Sequence, residues 1–240
     1  METGTFNKLA TPIAVLLAGV AIAGAVLWNG QHSGTSQPAP SPQQQTQTQT
    51  APQKTADISK VNITGEPFLG NVNAPVTVAY WFDYQCPFCK QNEETVTPQL
   101  IKDYVDTGKV KIVFKDFQFL GEDSQRVGQF ARAVWAIAPD KFYLWHKAMY
   151  DNAGTENTGW ATQDKILSIT KGVLGASDTN KALQLVQANS ASYQKEMDAD
   201  KAEGSAFGVT GTPSFIIGKQ LIIGAVPYAQ LKTAIDATLK

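Results

Sequence analysis

The residues best suited to chemistry are Cys86 and Cys89, which stand in the stretch CPFC and are the two cysteines of this 240-residue chain. Two thiols at this spacing can form half of a metal site, a small structural disulfide or a redox pair. A zinc site needs four ligands, but the chain has no second cysteine pair and its two histidines lie far apart in sequence. A structural disulfide of this size closes almost no loop and adds little stability. The spacing therefore favours a redox pair.

The sequence around the pair predicts unequal environments for the two thiols. The stretch VTVAYWF at Val76–Phe82 is nearly continuous in β-branched and aromatic residues, which is typical of a central strand covered on both faces. A turn follows, and we expect a helix to begin at the cysteines with Pro87 in its first turn and to kink at Pro98. Free N–H groups and the positive end of the helix dipole would stabilise the thiolate of Cys86. Cys89 lies one helical turn further in and should be shielded, so we expect Cys86 to be the accessible thiol of low pKa.

The remaining pattern predicts further strands at both ends of the folded part and helices between them. The stretch KVKIVF at Lys109–Phe114 reads as a second strand that pairs in parallel with the first. Ser214–Gly224 reads as a hairpin, and a C-terminal helix follows it. Apolar residues recur at helical spacing between about residues 122 and 203, which indicates a helical insertion. We interpret its aromatic and methionine stripes as core packing, and His146 as a structural residue.

An uncharged apolar segment near the N-terminus indicates export. Leu9–Trp28 is long enough, at about 1.5 Å per residue, to span the roughly 30 Å apolar layer of a bilayer. Lys8 precedes it and no Lys or Arg follows until Lys54, so we expect residues 1–8 in the cytoplasm and the catalytic part on the periplasmic or outer face of the cell membrane. A cleaved signal peptide is the alternative, because small residues at 21–25 fit a cleavage site. We expect an uncleaved, single-pass signal-anchor helix over residues 9–28.

Composition divides the rest of the chain and limits its partners. Residues 29–57 form a tract of Gln, Thr, Pro and Ser with almost no apolar side chains. Such a tract cannot bury enough surface to offset its ordering entropy, so we expect a disordered linker followed by a folded domain over residues 58–240. The chain has a formal net charge of −1 and no run of Lys and Arg, which argues against nucleic acid as a partner.

Two motifs far apart in the sequence carry a family resemblance. The first is FDYQCPFCK at Phe82–Lys90, and the second is FGVTGTPSFIIG at Phe207–Gly218. They resemble the active-site segment and the cis-proline loop of the DsbA-like branch of the thioredoxin superfamily, and the resemblance covers about residues 61–240. It implies an α/β, thioredoxin-like fold with a helical insertion, here preceded by the transmembrane helix and the linker. It also implies a thiol:disulfide oxidoreductase without metal or other cofactor.

The resemblance further assigns roles to residues of both motifs. It implies that Cys86 is the nucleophilic cysteine, that Cys89 is its buried partner, and that the two alternate between thiols and a redox-active disulfide. Pro213 would be a cis-proline that faces this disulfide. The backbone of Thr212 and Gly211 would then pair with an extended segment of the substrate.

Aromatic residues beside the motifs predict a surface for unfolded chains. Phe88, Tyr84 and the Pro213 loop would form a mainly apolar, substrate-binding patch with little sequence preference. Tyr80 stands six positions before the first cysteine, where thioredoxin and its close relatives often bury an acidic residue. We interpret Asp83 as an exposed cap of the helix start, with a role in proton relay as the alternative.

The expected reaction is the introduction of disulfides into exported proteins that are unfolded or contain cysteine. A low pKa would make Cys86 a good leaving group, although the dipeptide between the cysteines lacks the histidine of some strongly oxidising relatives. A reductase or isomerase of exported disulfides is one alternative, and a membrane-tethered binding module or chaperone is another. The tether occupies the place of the dimerisation domain of related isomerases, so we expect a monomer. We also expect a membrane redox partner that recycles the disulfide.

Overall fold

The computed structural model describes residues 54–240, and these residues contain a mixed six-stranded sheet. Its strands are β1 (Lys54–Thr55), β2 (Phe68–Leu69), β3 (Val76–Phe82), β4 (Val110–Asp116), β5 (Ser214–Ile217) and β6 (Gln220–Ile223). Their order in space is β1-β6-β5-β3-β4-β2. The central strands β3 and β4 pair in parallel, as the sequence predicts, and the other neighbouring pairs are antiparallel.

Most of the helical structure lies between β4 and β5. The α-helices of residues 54–240 are α1 (Pro87–Thr95), α2 (Thr97–Leu100), α3 (Glu122–Ile137), α4 (Phe142–Asp151), α5 (Gln163–Leu174), α6 (Ala176–Phe207) and α7 (Tyr228–Thr238). A π-helical turn follows α2, and 3₁₀ turns lie at Ile58–Lys60 and Pro139–Lys141. The helices α3 to α6 occupy the region in which the apolar periodicity predicts an insertion, and α6 continues to Phe207.

Strand β3 is buried on both faces, which explains its continuous apolar sequence. Val78, Tyr80 and Phe82 belong to the larger core cluster, which the helices α3 to α7 also join. Ala79 and Trp81 belong to a smaller cluster on the opposite face of the sheet. Successive side chains of a strand point to opposite faces, so both clusters hold the same backbone segment. The strand that leads to the cysteines is thereby fixed from two sides.

The helix that carries the cysteines is interrupted, as Pro98 predicts. Helix α1 ends at Thr95 and α2 begins at Thr97, with Pro98 in the first turn of α2. A proline has no N–H to continue the helical ladder and its ring clashes with the preceding turn. The chain then forms the π-helical turn at Ile101–Val105, and Gly108 adopts a positive φ of 70° before β4.

A cluster of buried charges joins the helical insertion to the sheet. Arg132 of α3 lies 2.7 Å from Asp116 of β4 and 2.5 Å from Asp200 of α6. Lys115 of β4 forms ion pairs with Asp200 and, at 3.1 Å, with Glu66. All five residues are less than 9% exposed. Because a buried charge is costly unless it is paired, these contacts hold α3 and α6 against β4.

The folded part begins earlier than the predicted boundary at residue 58. Lys54 and Thr55, which fall in the predicted linker, pair with Leu221 and Gln220 of β6. The backbone makes this pairing at the edge of the sheet and needs no apolar side chain, so composition does not reveal it. The predicted signal anchor and the linker up to residue 53 lie outside the described residues. Within residues 54–240, no helix combines the length and the apolar character needed to cross a bilayer.

Candidate active site

Cys86 stands at the junction between a turn and helix α1. It is the N-cap residue of the helix, and Pro87 is the first helical residue. A hydrogen bond from the Cys89 thiol is the main cause that lowers the pKa of Cys86 to about 6. The N–H groups of Phe88 and Cys89 lower this pKa further, while partial burial opposes them. Cys86 is therefore a thiolate at neutral pH, although it is only 5% exposed and so less accessible than expected.

Cys89 lies in the first turn of α1 and is fully buried. Burial raises the pKa of Cys89 well above its usual range, and the neighbouring Cys86 raises it further. Both cysteines are free thiols in this structure. The pair combines a thiolate at the helix start with an enclosed, protonated thiol. This asymmetry suits Cys86 as the sulfur that attacks and leaves in thiol–disulfide exchange.

The loop before β5 lies directly against Cys86. The Thr212–Pro213 peptide bond is cis, as the resemblance implies. The sulfur of Cys86 lies 3.3 Å from the carbonyl oxygen of Thr212, so the structure brings together two motifs that are 126 positions apart in sequence. The side chain of Ser214 donates a hydrogen bond to the carbonyl of Gly211 at 2.6 Å, which holds the loop in a tight turn.

The backbone of this loop is open to a ligand at Gly211 and Thr212. Both residues are partly exposed, and a side chain at Gly211 would meet open space. Pro213 is buried, and its carbonyl accepts a hydrogen bond from the N–H of Gly224 at 2.7 Å. The loop is thus fastened on its inner side, while the Gly211 and Thr212 backbone stays available on the side of Cys86.

Phe88 forms an exposed apolar surface beside the cysteines. Its side chain is 57% exposed, which agrees with its expected place in a substrate-binding patch. Together with Val226, Pro227 and Tyr228, which precede or begin α7, it lines a groove of about 480 Å³. The groove runs along α1 and begins at Phe88, the residue before Cys89.

The expectation that Tyr84 belongs to the same exposed patch is wrong. Tyr84 is 1% exposed, because the helical insertion covers it. Its ring packs against Tyr150 with centroids 5.4 Å apart, and its hydroxyl lies 3.0 Å from Nδ1 of His146. Tyr84 reaches only the lining of a smaller cavity of about 230 Å³ between Cys86 and the loop after α4. Tyr84 therefore packs in the core beneath the turn that leads to the cysteines.

The interpretation of Asp83 as an exposed helix cap is also wrong. Asp83 is fully buried. Its carboxylate accepts four hydrogen bonds of 2.5 to 3.0 Å, from the N–H groups of Gln85, Phe119 and Leu120 and from the hydroxyl of Ser124. Burial raises the pKa of Asp83, and these hydrogen bonds oppose that effect. Asp83 ties the turn before the cysteines to the loop before α3.

Gln85 also links the turn before the cysteines to other loops, and the sequence does not predict these contacts. Its Nε2 donates to the carbonyl of Leu120 at 2.5 Å and lies 3.1 Å from the hydroxyl of Ser124. Its Oε1 accepts a hydrogen bond from the N–H of Asn157 at 2.8 Å. Asn157 has a left-handed φ of 58°, a conformation that asparagine tolerates better than most residues. No local pattern signals this contact, because the two residues are 72 positions apart.

Two further residues of interest lie in the core behind the cysteines. His146 is fully buried and contacts Tyr84, in agreement with its interpretation as a structural residue. Tyr80 is also buried, and its hydroxyl faces the sulfur of Cys89. Among residues 54–240, no three His, Cys, Asp or Glu side chains are grouped so that they could hold a metal ion.

A thiol pair at the start of a helix, facing a cis-proline loop on a sheet of this order, defines a thiol:disulfide oxidoreductase of the thioredoxin fold. A family model described as thioredoxin matches residues 62–237. The chain therefore belongs to the thioredoxin family, and its relatives place it in the DsbA-like branch.

Both sequences and solved structures supply such relatives. A probable disulfide bond formation protein D from Bacillus cereus is 32% identical over 173 residues, which is 72% of this chain and 78% of the relative. The crystal structure of oxidised BdbD from Bacillus subtilis is 26% identical with a TM-score of 0.67, and covers 74% of this chain and 95% of that one. The thiol-disulfide exchange protein alpha-DsbA2 from Wolbachia pipientis is 26% identical with a TM-score of 0.63, covering 72% and 87%.

Proposed function

We propose that this chain is an exported, membrane-anchored oxidase that introduces disulfides into other exported proteins. The observation that carries the proposal is the contrast between Cys86, with its pKa lowered to about 6, and Cys89, with its pKa raised well above the usual range. A stable Cys86 thiolate favours the reduced form of the pair, so the corresponding disulfide is a stronger oxidant. The relatives named disulfide bond formation protein D support the same direction.

The proposed cycle uses the two cysteines in unequal roles. A substrate thiolate attacks the sulfur of Cys86 in the oxidised pair, the bond to Cys89 breaks, and Cys89 leaves with the electron pair. A second substrate thiolate then attacks the substrate sulfur of the mixed disulfide, and Cys86 leaves as a stable thiolate. The substrate gains a disulfide, and the enzyme is left with two thiols that a membrane redox partner reoxidises.

The substrate is proposed to lie across the surface that the two motifs share. The backbone of Gly211 and Thr212 would pair with an extended segment next to the reacting cysteine, as an added strand does. The exposed ring of Phe88 and the groove beside it would contact apolar side chains of that segment. Pro213 follows Thr212 in this loop, beside the Cys86 sulfur, and we propose that it also contributes to the contact with the substrate segment. The exposed apolar surface of Phe88 favours unfolded chains of varied sequence.

The anchoring is a separate proposal that rests on the sequence. Leu9–Trp28 would span the membrane, and residues 29–57 would hold most of a flexible tether for the catalytic domain on the periplasmic or outer face. Cell fractionation followed by N-terminal sequencing tests this arrangement. A membrane-bound protein that retains Met1 supports it, and a soluble protein that starts near Gly24 or Val26 contradicts it without affecting the redox chemistry.

The reduction potential and a peptide-oxidation assay together test the proposed reaction. An oxidase should have a potential above about −200 mV, whereas a value near −270 mV, as in thioredoxin, would indicate a reductase. The oxidised protein should convert a reduced two-cysteine peptide to its disulfide, and Cys86→Ala should abolish this reaction. Equal activity of wild type and Cys86→Ala would refute an enzymatic role and leave a binding module or chaperone.

A further inference from the structure

The surroundings of Cys89 contain one tyrosine hydroxyl that has no ordinary partner. The Tyr80 hydroxyl lies within hydrogen-bonding reach of the Cys89 sulfur, and Tyr150 lies in the same buried region. The hydroxyl of Tyr150 is engaged, because it donates a hydrogen bond to the carbonyl of Asp83 at 2.9 Å. The hydroxyl of Tyr80 is buried and has no hydrogen bond of ordinary geometry within residues 54–240. A buried hydroxyl without a partner costs free energy and is rare in folded proteins, so it needs an explanation.

The packing of Tyr80 fixes the direction of this hydroxyl. Tyr80 belongs to the central strand β3, and its ring stacks on Phe215 of the adjacent strand β5 with centroids 4.9 Å apart. Phe82 and Phe114 pack against the same ring at 5.6 and 6.0 Å. A ring enclosed in this way has little freedom to turn elsewhere. The hydroxyl is therefore held in place next to Cys89.

The charge on Cys89 changes during the reaction. A negatively charged Cys89 sulfur is a strong hydrogen-bond acceptor, which the Tyr80 hydroxyl otherwise lacks. When a thiolate attacks Cys86 of the oxidised pair, the Cys86–Cys89 bond breaks and Cys89 takes the electron pair as a thiolate. In the reverse step, the Cys89 thiol gives its proton to solvent and the resulting thiolate attacks the Cys86 sulfur of the mixed disulfide. The Cys86–Cys89 bond forms, the bond from Cys86 to the other sulfur breaks, and that sulfur leaves as a thiolate. Both steps pass through a state in which negative charge lies on a buried sulfur.

We propose that the hydroxyl of Tyr80 donates a hydrogen bond to the sulfur of Cys89 while that sulfur carries negative charge, and so accelerates formation and resolution of the mixed disulfide. Tyr80 would be a catalytic residue, because it contacts a reacting atom. The inference rests on the proposed roles of Cys86 and Cys89, and it does not depend on the net direction of electron flow.

The chemistry of the phenol defines its role as a donor. Burial raises the pKa of Tyr80 well above its usual range, and the charge of Cys89 raises it further, so the phenol keeps its proton. It cannot act as the base that deprotonates Cys89. A neutral donor aimed at a developing anion in a buried site stabilises the transition state without reorganisation. Tyr80→Phe removes this donor and keeps the ring, so the core should stay packed.

The reaction of the reduced protein with the aromatic disulfide dithiobis-nitrobenzoate separates the two steps. Cys86 attacks the reagent and releases one nitrothiobenzoate anion, and Cys89 then displaces a second anion from Cys86. Stopped-flow absorbance follows both releases. For Tyr80→Phe we expect an unchanged first release and a second release slowed about 10-fold, the effect of losing a hydrogen bond to a charged group. Urea unfolding should show equal or higher stability, because a buried unpaired hydroxyl is removed.

Matched variants give each outcome a meaning. Tyr104→Phe removes the hydroxyl of another buried tyrosine, one that donates to Asp236, and should change neither release. Cys89→Ala should release a single anion per protein, and Cys86→Ala should lose the fast first release. If Cys86→Ala kept the fast first release and Cys89→Ala lost it, the proposed roles of the two cysteines would be reversed, whatever Tyr80 does. If those roles hold but Tyr80→Phe leaves both releases unchanged, or slows both equally, the inference about Tyr80 is overturned.

Discussion

The side-chain carbonyl of Gln85 accepts a hydrogen bond from the backbone N–H of Asn157 at 2.8 Å. This contact joins the residue before Cys86 to the loop between α4 and α5. The amide of the same side chain donates to the carbonyl of Leu120, so one glutamine spans two loops of the helical insertion. The geometry of the redox turn therefore depends on helices that contribute no reacting atom.

Replacing Gln85 with alanine should loosen this junction. The variant leaves the Leu120 carbonyl and the Asn157 N–H without their partner, so we expect a loss of about 1–3 kcal/mol in the free energy of unfolding. Urea unfolding measures the loss, and hydrogen exchange should increase in the loop at residues 152–162. Gln91→Ala, at an exposed position of α1, is the control and should change neither. Equal stability of both variants would show that the junction is unimportant.

The low pKa of Cys86 predicts the pH dependence of its alkylation. Because the thiolate is the reacting form, the rate at which the reduced protein reacts with iodoacetamide should rise with pH and reach half of its plateau near pH 6. Mass spectrometry should locate the label on Cys86. Since the Cys89 thiol is the main cause of the low pKa, Cys89→Ala should move the midpoint to higher pH. A midpoint near 8.5 in the wild type, the value of an unperturbed thiol, would contradict this account.

The same pKa predicts a break in the pH dependence of the reduction potential. Below about pH 6 the reduced pair holds two protons, and above it only Cys89 keeps its proton. The potential should fall by about 59 mV per pH unit on the acid side and by about 30 mV per pH unit on the neutral side, because two electrons are transferred. Equilibration with glutathione buffers across this range measures both slopes. A single slope of about 59 mV up to pH 8 would place the Cys86 pKa above that pH.

The pKa of Cys86 also determines how pH affects the stability of the reduced protein. The folded-state pKa lies below that of the unfolded thiol, so the folded state binds fewer protons between these two values. This contribution is present in full above the unfolded pKa and is lost as pH falls through about 6. Between pH 6 and 8, the free energy of unfolding of the wild type should therefore rise more than that of Cys86→Ala. Chemical unfolding of both proteins measures this difference. Parallel pH profiles would contradict the prediction.

Asp83 should be among the most sensitive positions of the turn. Asp83→Asn replaces one acceptor oxygen by an amide that faces N–H donors, so buried donors lose their partner. We expect a destabilisation of about 2–3 kcal/mol, measured by chemical unfolding, with faster alkylation of Cys89 as the turn opens. Asp106→Asn is the matched control at an exposed position and should behave as wild type. A stable Asp83→Asn variant with wild-type protection of Cys89 would refute the role of this carboxylate.

The sequence predicts those parts of the site that depend on local pattern. The strand before the cysteines, the break at Pro98 and the hairpin after Pro213 follow from apolar runs and from proline geometry. The sequence does not predict the burial of Asp83 and Tyr84, because that burial depends on α3 and α4, whose packing over the turn has no local signal. The sequence also does not predict the burial of Lys115 and Arg132. Lysine and arginine are mostly exposed in proteins, and these two are buried because they form ion pairs with residues distant in sequence.

The separation of 126 positions between Cys86 and Thr212 affects the order in which the site is completed. A chain that is synthesised from its N-terminus presents the cysteines long before the loop at Gly211 and the hairpin after it. Strand β5 lies beside β3, so until it arrives the central strand remains an open edge. A nascent or C-terminally truncated chain therefore carries a thiol pair without its covering loop. Thiol reagents should label such a chain at both cysteines, whereas the folded chain protects Cys89.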